Sequence, residues 1–309
     1  MADTNESTLS VMIPVEITDS VLYSTTVAET DYAAWSGGTT YALGDRCIKN
    51  HRIYESVAGS NLNHDPTDIN NRTGSTVWWI DVSATTAHKM FDNENTSATA
   101  AATSLTIVLR PGFVNALYAG GLIADSATIT MKDAPGGTVV YSNTIQLENS
   151  YPPDWYEYFF SPFVQQPDLI INDLPPYYNC EITFTLTISA GNVECGMFQV
   201  GDLRPLGTTQ YNASATPKTY SSIKEDEFGN STIVRRRKAR DAKYSVIVDP
   251  IQANSVIDVV TSVLDVPTVV VATNLDNYAW LRTFGLISGE MSAENYSENV
   301  LNISVKGMI

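Results

Sequence analysis

Basic residues are scarce in this chain: 18 Lys and Arg stand against 34 Asp and Glu, a formal charge of −16 over 309 residues. Phosphates would be repelled by most of such a surface, so composition disfavours nucleic acid as a partner. Histidine is limited to His51, His64 and His88, and cysteine to Cys47, Cys180 and Cys195. No His-Glu-x-x-His helix and no Cys-x-x-Cys pair accompanies them, so spacing leads to no expected metal site. Residues 1 to 15 have neither a basic start nor an apolar run, and no Sec-type signal peptide is expected. The most apolar stretch, Val266 to Ala272, falls far short of the roughly 20 residues that cross a bilayer, so no membrane insertion is expected. A Gly-x-Ser-x-Gly elbow and a phosphate-cradling Gly-rich loop are both missing. In a chain this acidic, no carboxylate pair stands out as a glycosidase dyad. No catalytic residue and no cofactor is therefore nominated, and the chain reads as non-enzymatic.

Residues that favour strands and turns fill the space instead. Tyr, Thr, Ser, Val and Asn are plentiful, and apolar residues reach 43% with only 17% charged, enough for a folded core. Leu105 to Leu109 stops at Arg110-Pro111-Gly112. Ala127 to Met131 turns at Ala134-Pro135-Gly136-Gly137 into Thr138 to Tyr141, a hairpin by spacing. Ile182 to Ile188 alternates apolar residues with threonines, so one face is buried and the other wet. Cys180 and Cys195 are expected on one hairpin turning at Gly191-Asn192. Cys195 would then face Ile188, which makes buried free thiols the expectation.

Near the end, Ser255-Val256-Ile257-Asp258 has the capping-box form. Val256, Val259, Val260, Val263 and Leu264 follow at helical spacing up to Pro267. Leu301, Ile303 and Val305 then alternate as a strand. The expected fold is mainly β, with a small aromatic-rich β module, a central antiparallel β-sandwich of jelly-roll type, and a C-terminal α+β unit with one helix. The expected units are 1–30 (strands pairing with later units), 31–87 (the aromatic module), 88–244 (the sandwich) and 245–309 (the C-terminal unit). No repeat or low-complexity tract interrupts them.

The aromatic module carries Trp35, the step Tyr41-Ala42-Leu43-Gly44-Asp45, Tyr54, Pro66 and Trp78-Trp79. This order resembles the small carbohydrate-binding modules attached to chitinases and cellulases. The resemblance implies glycan-binding roles for Trp35, Tyr41, Tyr54, Trp78 and Trp79, whose rings would stack on the C–H face of a sugar. Where that family carries a Gly shortly before the second Tyr, this chain has Asn50-His51-Arg52-Ile53, and Asn61 to Thr76 forms a longer insert. Core packing is the competing role for the same aromatics, and of two adjacent tryptophans on a strand one points in and the other out. Asp65, Asp68, Asn70 and Asn71 offer oxygens suited to calcium, but their spacing departs from the EF-hand loop and suits ordinary turns.

Arg235, Arg236, Arg237, Lys238, Arg240 and Lys243 hold six of the 18 basic residues. Acidic flanks at Glu225-Asp226-Glu227 and Asp241 cut the field of this run. Contact with acidic patches on neighbouring subunits is the expectation for Arg235, Arg236, Arg237, Lys238 and Arg240. The segments Glu16 to Asp19, Met90-Phe91-Asp92, Tyr278 to Leu286 and Leu301 to Ile309 are together similar to tailed-phage virion proteins of the tail and baseplate. That similarity implies a non-enzymatic, homo-oligomeric virion protein assembled in the bacterial cytoplasm. Its partners would be other virion proteins, copies of itself, and host-surface glycans through the aromatic module. A neck, collar or head–tail junction position, a capsid-attached decoration, and a carbohydrate-active enzyme stand as alternatives.

Overall fold

A computed structural model describes residues 7–94, 96–148, 154–160, 165–225, 230–236, 238–273, 275–293 and 296–308. Strands β1 (Thr8–Pro14) and β2 (Leu22–Thr25) come first. The aromatic module follows as β3 (Thr40–Tyr41), β4 (Arg46–Lys49), β5 (Arg52–Ser56), β6 (Asn61–Leu62) and β7 (Trp79–Ala84). The next strands are β8 (Thr99–Gly112), β9 (Ala116–Gly120), β10 (Ser126–Lys132) and β11 (Val139–Gln146). Helix α1 (Trp155–Phe160) precedes β12 (Asp168–Ile171), β13 (Cys180–Cys195) and β14 (Met197–Thr209). Then come β15 (Ser214–Thr219), β16 (Ser222–Glu225), β17 (Ser231–Val234) and β18 (Lys238–Val248). Helix α2 (Ala253–Ser262) leads to β19 (Thr268–Val271), β20 (Thr283–Ala293) and β21 (Asn299–Gly307). The fold is mainly β, with antiparallel sheets.

Two cores organise the large sheets. The order β14-β1-β19-β20-β21-β18 closes on itself because β18 also pairs with β14, giving a six-stranded barrel. Closure runs through Thr208↔Ile247 and Thr209↔Val246. Gly207 sits at that seam, where a Cβ would lie 2.3 Å from the Ile247 carbonyl oxygen. Only glycine permits so close a backbone approach. Leu9, Val11, Leu206, Tyr244, Val246, Val270, Ile287, Leu301, Ile303 and Val305 fill the interior, one alternate set from each strand. Helix α2 adds Val256 and Val260 to the same cluster, joined by Val263 at its C-cap. β18 runs through residue 244, so the strands on both sides of that position belong to one sheet.

The second core is a sandwich. One layer is the sheet β11-β10-β13-β8-β2, and the facing layer is the wing β12-β9-β14 that extends from the barrel. The alternation of β13 does what its sequence demands. Ile182, Phe184 and Leu186 are buried, and Phe184 meets Phe198 of the opposite layer with ring centroids 5.0 Å apart. On the other face Thr106–Thr185, Ser126–Thr187 and Thr128–Thr144 form a ladder of hydroxyl contacts at 2.7–3.0 Å.

Three local expectations are corrected. Cys180 and Cys195 do not share a hairpin, because β13 continues past Gly191 as one strand paired with β8. Residues 188–191 form a bulge opposite Thr103, and Gly191 supplies a positive φ of 99° to the bulge instead of to a turn. All three cysteines are buried free thiols, and burial pushes Cys195 up to about 12. Helix α2 starts before the expected cap, since Asp249 turns the chain early by accepting from the Ile251 and Gln252 amides. It also ends at Ser262, well ahead of Pro267. Helix α1 is a second helix that the periodicity did not indicate.

Among the described residues Glu181 is the one charged group in the buried polar set, and Arg110 and Lys132 reach it at 2.8 and 3.0 Å. Those hydrogen bonds hold its carboxyl below the usual pKa. A depressed carboxylate stabilises the fold above its unfolded pKa of about 4.3 and loses that contribution as pH falls through the folded value. Glu181→Gln is therefore expected to cost about 1–2 kcal/mol at neutral pH. Thermal melts across pH should show parent and variant converging below about pH 4; a constant gap would contradict the assignment.

Candidate functional site

The aromatic module builds its core from the residues that resemble a sugar platform. β4-β5-β7 form one sheet and β3-β6 a second, with Tyr41, Cys47, Tyr54 and Trp79 packed between them. Trp79 is fully buried, donates its Nε1–H to the His64 carbonyl at 2.8 Å, and meets Tyr41 edge-on at 5.0 Å. The Tyr41 hydroxyl accepts from the Ser36 amide at 2.8 Å. Tyr41, Tyr54 and Trp79 are thus core residues, which corrects their assignment as ligand contacts. In a module this small, large rings supply most of the buried apolar area.

Trp35 and Trp78 are half-buried. Trp78 is the outward member of its pair, yet the His64 imidazole stacks on one of its faces at 3.7 Å and 11°. Lys49 Nζ sits 4.0 Å above the Trp35 ring, held by Asp65 at 2.6 Å. The insert explains both covers. Asn61 is buried and bonds Ser56, His64 and the Trp78 carbonyl, which fixes the insert against β7. Its acidic residues serve the loop itself. Asp65 accepts from Thr67 and Lys49, and Asp68 accepts from the Asn70 amide at the start of a 3-10 turn, Ile69–Asn71.

The basic run occupies a joint. β15 and β18 leave the barrel as a ribbon, paired up to Thr219↔Lys238. After a break at residues 220–221 and 235–236, the ribbon resumes as the separate hairpin β16–β17, with Ser222↔Val234 as its first pair. Arg235, Arg236 and Lys238 are exposed at this joint, and Arg237 lies outside the described residues. Ser221 Oγ accepts from the Arg236 amide at 2.9 Å and holds the two chains together there. Arg240 faces elsewhere, donating from Nη1 to the Trp280 carbonyl at 2.9 Å. It also lies near Asp168, whose pKa burial raises and whose charge Arg240 and Arg282 favour in part.

Apolar side chains are conspicuous beyond the joint. Ile223 and Ile233 pair directly across the hairpin and are 67% and 63% exposed. A cleft of about 610 Å³ separates Tyr220 and Arg236 at the base of the arm from Leu286, Lys306 and Met308 on the barrel. Helix α1 presents Trp155, Tyr156, Phe159 and Phe160, each about 70% exposed or more. Periodicity gives no hint of these surfaces; the density of aromatics between Tyr151 and Phe160 is the signal that points to α1.

A further cluster joins segments distant in sequence. Glu29 follows β2, His51 occupies the β4–β5 turn, and His88 precedes a 3-10 turn at Lys89–Phe91. His51 Nδ1 lies 2.8 Å and His88 Nδ1 3.3 Å from Glu29 Oε1, and His51 Nε2 lies 2.7 Å from Asp19 Oδ1. Burial disfavours charge on both Glu29 and His51. Their hydrogen bonds outweigh it, lowering the Glu29 pKa and raising that of His51. Burial and the neighbouring His51 charge lower the His88 pKa.

No protein-family model matches this chain, and a search of curated proteins finds no match either.

Proposed function

We propose that this chain is a structural subunit of a tailed-phage virion, in the tail or baseplate region, that associates with copies of itself through the β16–β17 arm. The observation that carries this reading is the arm: a two-stranded ribbon with Ile223 and Ile233 turned to solvent. Isolated two-stranded hairpins are marginal in water, and exposed apolar pairs are characteristic of contact surfaces. Charge supports a homotypic partner. Arg235, Arg236 and Lys238 stand at the arm's base, whereas the chain as a whole carries −16. A second copy therefore offers the acidic surface that such a base would meet.

The aromatic module contributes a smaller surface in this reading. Trp78 and Trp35 are its remaining glycan-contact candidates, with host-surface sugars as the ligand class. The chain catalyses no reaction and takes no part in membrane insertion. Sedimentation velocity tests the assembly claim: the parent chain should associate with rising concentration, and variants with charged arm residues should not. A parent chain that stays monomeric at all concentrations would remove the proposal.

A further inference from the structure

We infer that Glu29, His51 and His88 form a binding site for a divalent first-row transition metal, with zinc the best-fitting ion, which ties the aromatic module to the linker after β2. The three donor atoms, two imidazole nitrogens and one carboxylate oxygen, lie within 4.8 Å of one another. Nitrogen and carboxylate donors of this kind suit zinc better than calcium or magnesium, which prefer all-oxygen shells. Both Nδ1 atoms approach the same Glu29 oxygen, at 2.8 and 3.3 Å. Ligands about 2.0–2.1 Å from a tetrahedral zinc stand about 3.3 Å apart, which the Glu29–His88 separation matches and the Glu29–His51 separation undershoots by about half an ångström. The imidazoles stack at 3.8 Å and 23°, so one ring must turn out of the stack for both nitrogens to face one ion.

Two independent observations strengthen the assignment. Asp19 Oδ1 lies 2.7 Å from His51 Nε2. A carboxylate accepting from the far nitrogen of a ligating histidine fixes the tautomer and leaves Nδ1 open to the metal. The backbone gives the second. His51 sits in the β4–β5 turn at φ +61°, directly after Asn50 at φ +48°. A two-residue turn of this kind takes Asn-Gly with least strain. A β-carbon in the second position raises the backbone energy, and the side chain placed there is the one that reaches both Glu29 and Asp19. Glu29 and His51 are partly exposed, which leaves the site open to solvent.

The test uses the full chain stripped of metal with chelator and titrated with zinc chloride by calorimetry, and with cobalt chloride by visible absorption. One zinc per chain is expected, together with the d–d bands of four-coordinate cobalt. His51→Asn keeps a residue that tolerates positive φ, so the turn should survive while zinc binding is lost. Glu29→Gln should also abolish stoichiometric binding, and Asp19→Asn should weaken it by about tenfold or more. His64→Asn removes a histidine that stacks on Trp78 outside the cluster, and it should bind as the parent does. Failure of the parent to take up zinc overturns the assignment. So does uptake that persists unchanged in folded His51→Asn and Glu29→Gln chains, which would leave His51 bridging Glu29 and Asp19 through protons alone.

Discussion

Replacing Trp79 by alanine should destabilise the aromatic module by about 3–5 kcal/mol, enough to unfold it at ordinary temperatures. The residue is fully buried, its Nε1–H is satisfied by the His64 carbonyl, and its ring packs on Tyr41. Trp79 is the largest side chain of the one cluster over which β3-β6 and β4-β5-β7 meet. The barrel and sandwich have their own cores and should remain folded. Limited proteolysis should then cut the variant between residues 40 and 84 and spare the rest. Trp78→Ala should be far milder in stability, since that ring is half-buried. It is therefore the variant to place on a glycan array: loss of signal in a folded Trp78→Ala chain would locate the sugar surface. An unaltered array would remove Trp78 from it.

Introducing lysine at both Ile223 and Ile233 should weaken self-association by at least about a hundredfold. Burial of one isoleucine at an interface contributes roughly 1.5–3 kcal/mol, and these two face each other across a single pair of the hairpin. Because both are largely exposed in the single chain, stability should change by no more than about 0.5 kcal/mol. Equal melting curves combined with a collapse in sedimentation would separate an assembly defect from a folding defect. A second variant, Arg236→Glu, should act in the same direction and more strongly at low salt, because its contribution is electrostatic. Lysine variants that associate like the parent would show that the arm is not the contact.

What the sequence made legible was local. Strict alternation from Ile182 to Ile188 placed the inner face of β13, and Ala134 to Gly137 marked the β10–β11 turn. Barrel closure was hidden because it depends on two residue pairs between β14 and β18 and on the missing side chain of Gly207. Gly191 announces a positive φ but not whether a turn or a bulge uses it, so the hairpin reading failed there. In the module, the order of the aromatics left core packing and ligand contact as competing roles, and burial assigns Tyr41, Tyr54 and Trp79 to the core. Burial of Trp79 and the more outward place of half-buried Trp78 follow from strand alternation, whereas the cover from His64 comes from the insert. His51 and His88 share no local pattern, and only the packing of β4–β5 against the turn before β8 brings their rings together.

On the proposed reading, this chain is a part of a virion. Electron microscopy of purified virions, labelled with an antibody raised against the chain, tests that most directly. Label at regularly repeated positions on the tail or baseplate is the expected result. Virions that carry no label, with the protein recovered wholly in the particle-free fraction, would contradict it.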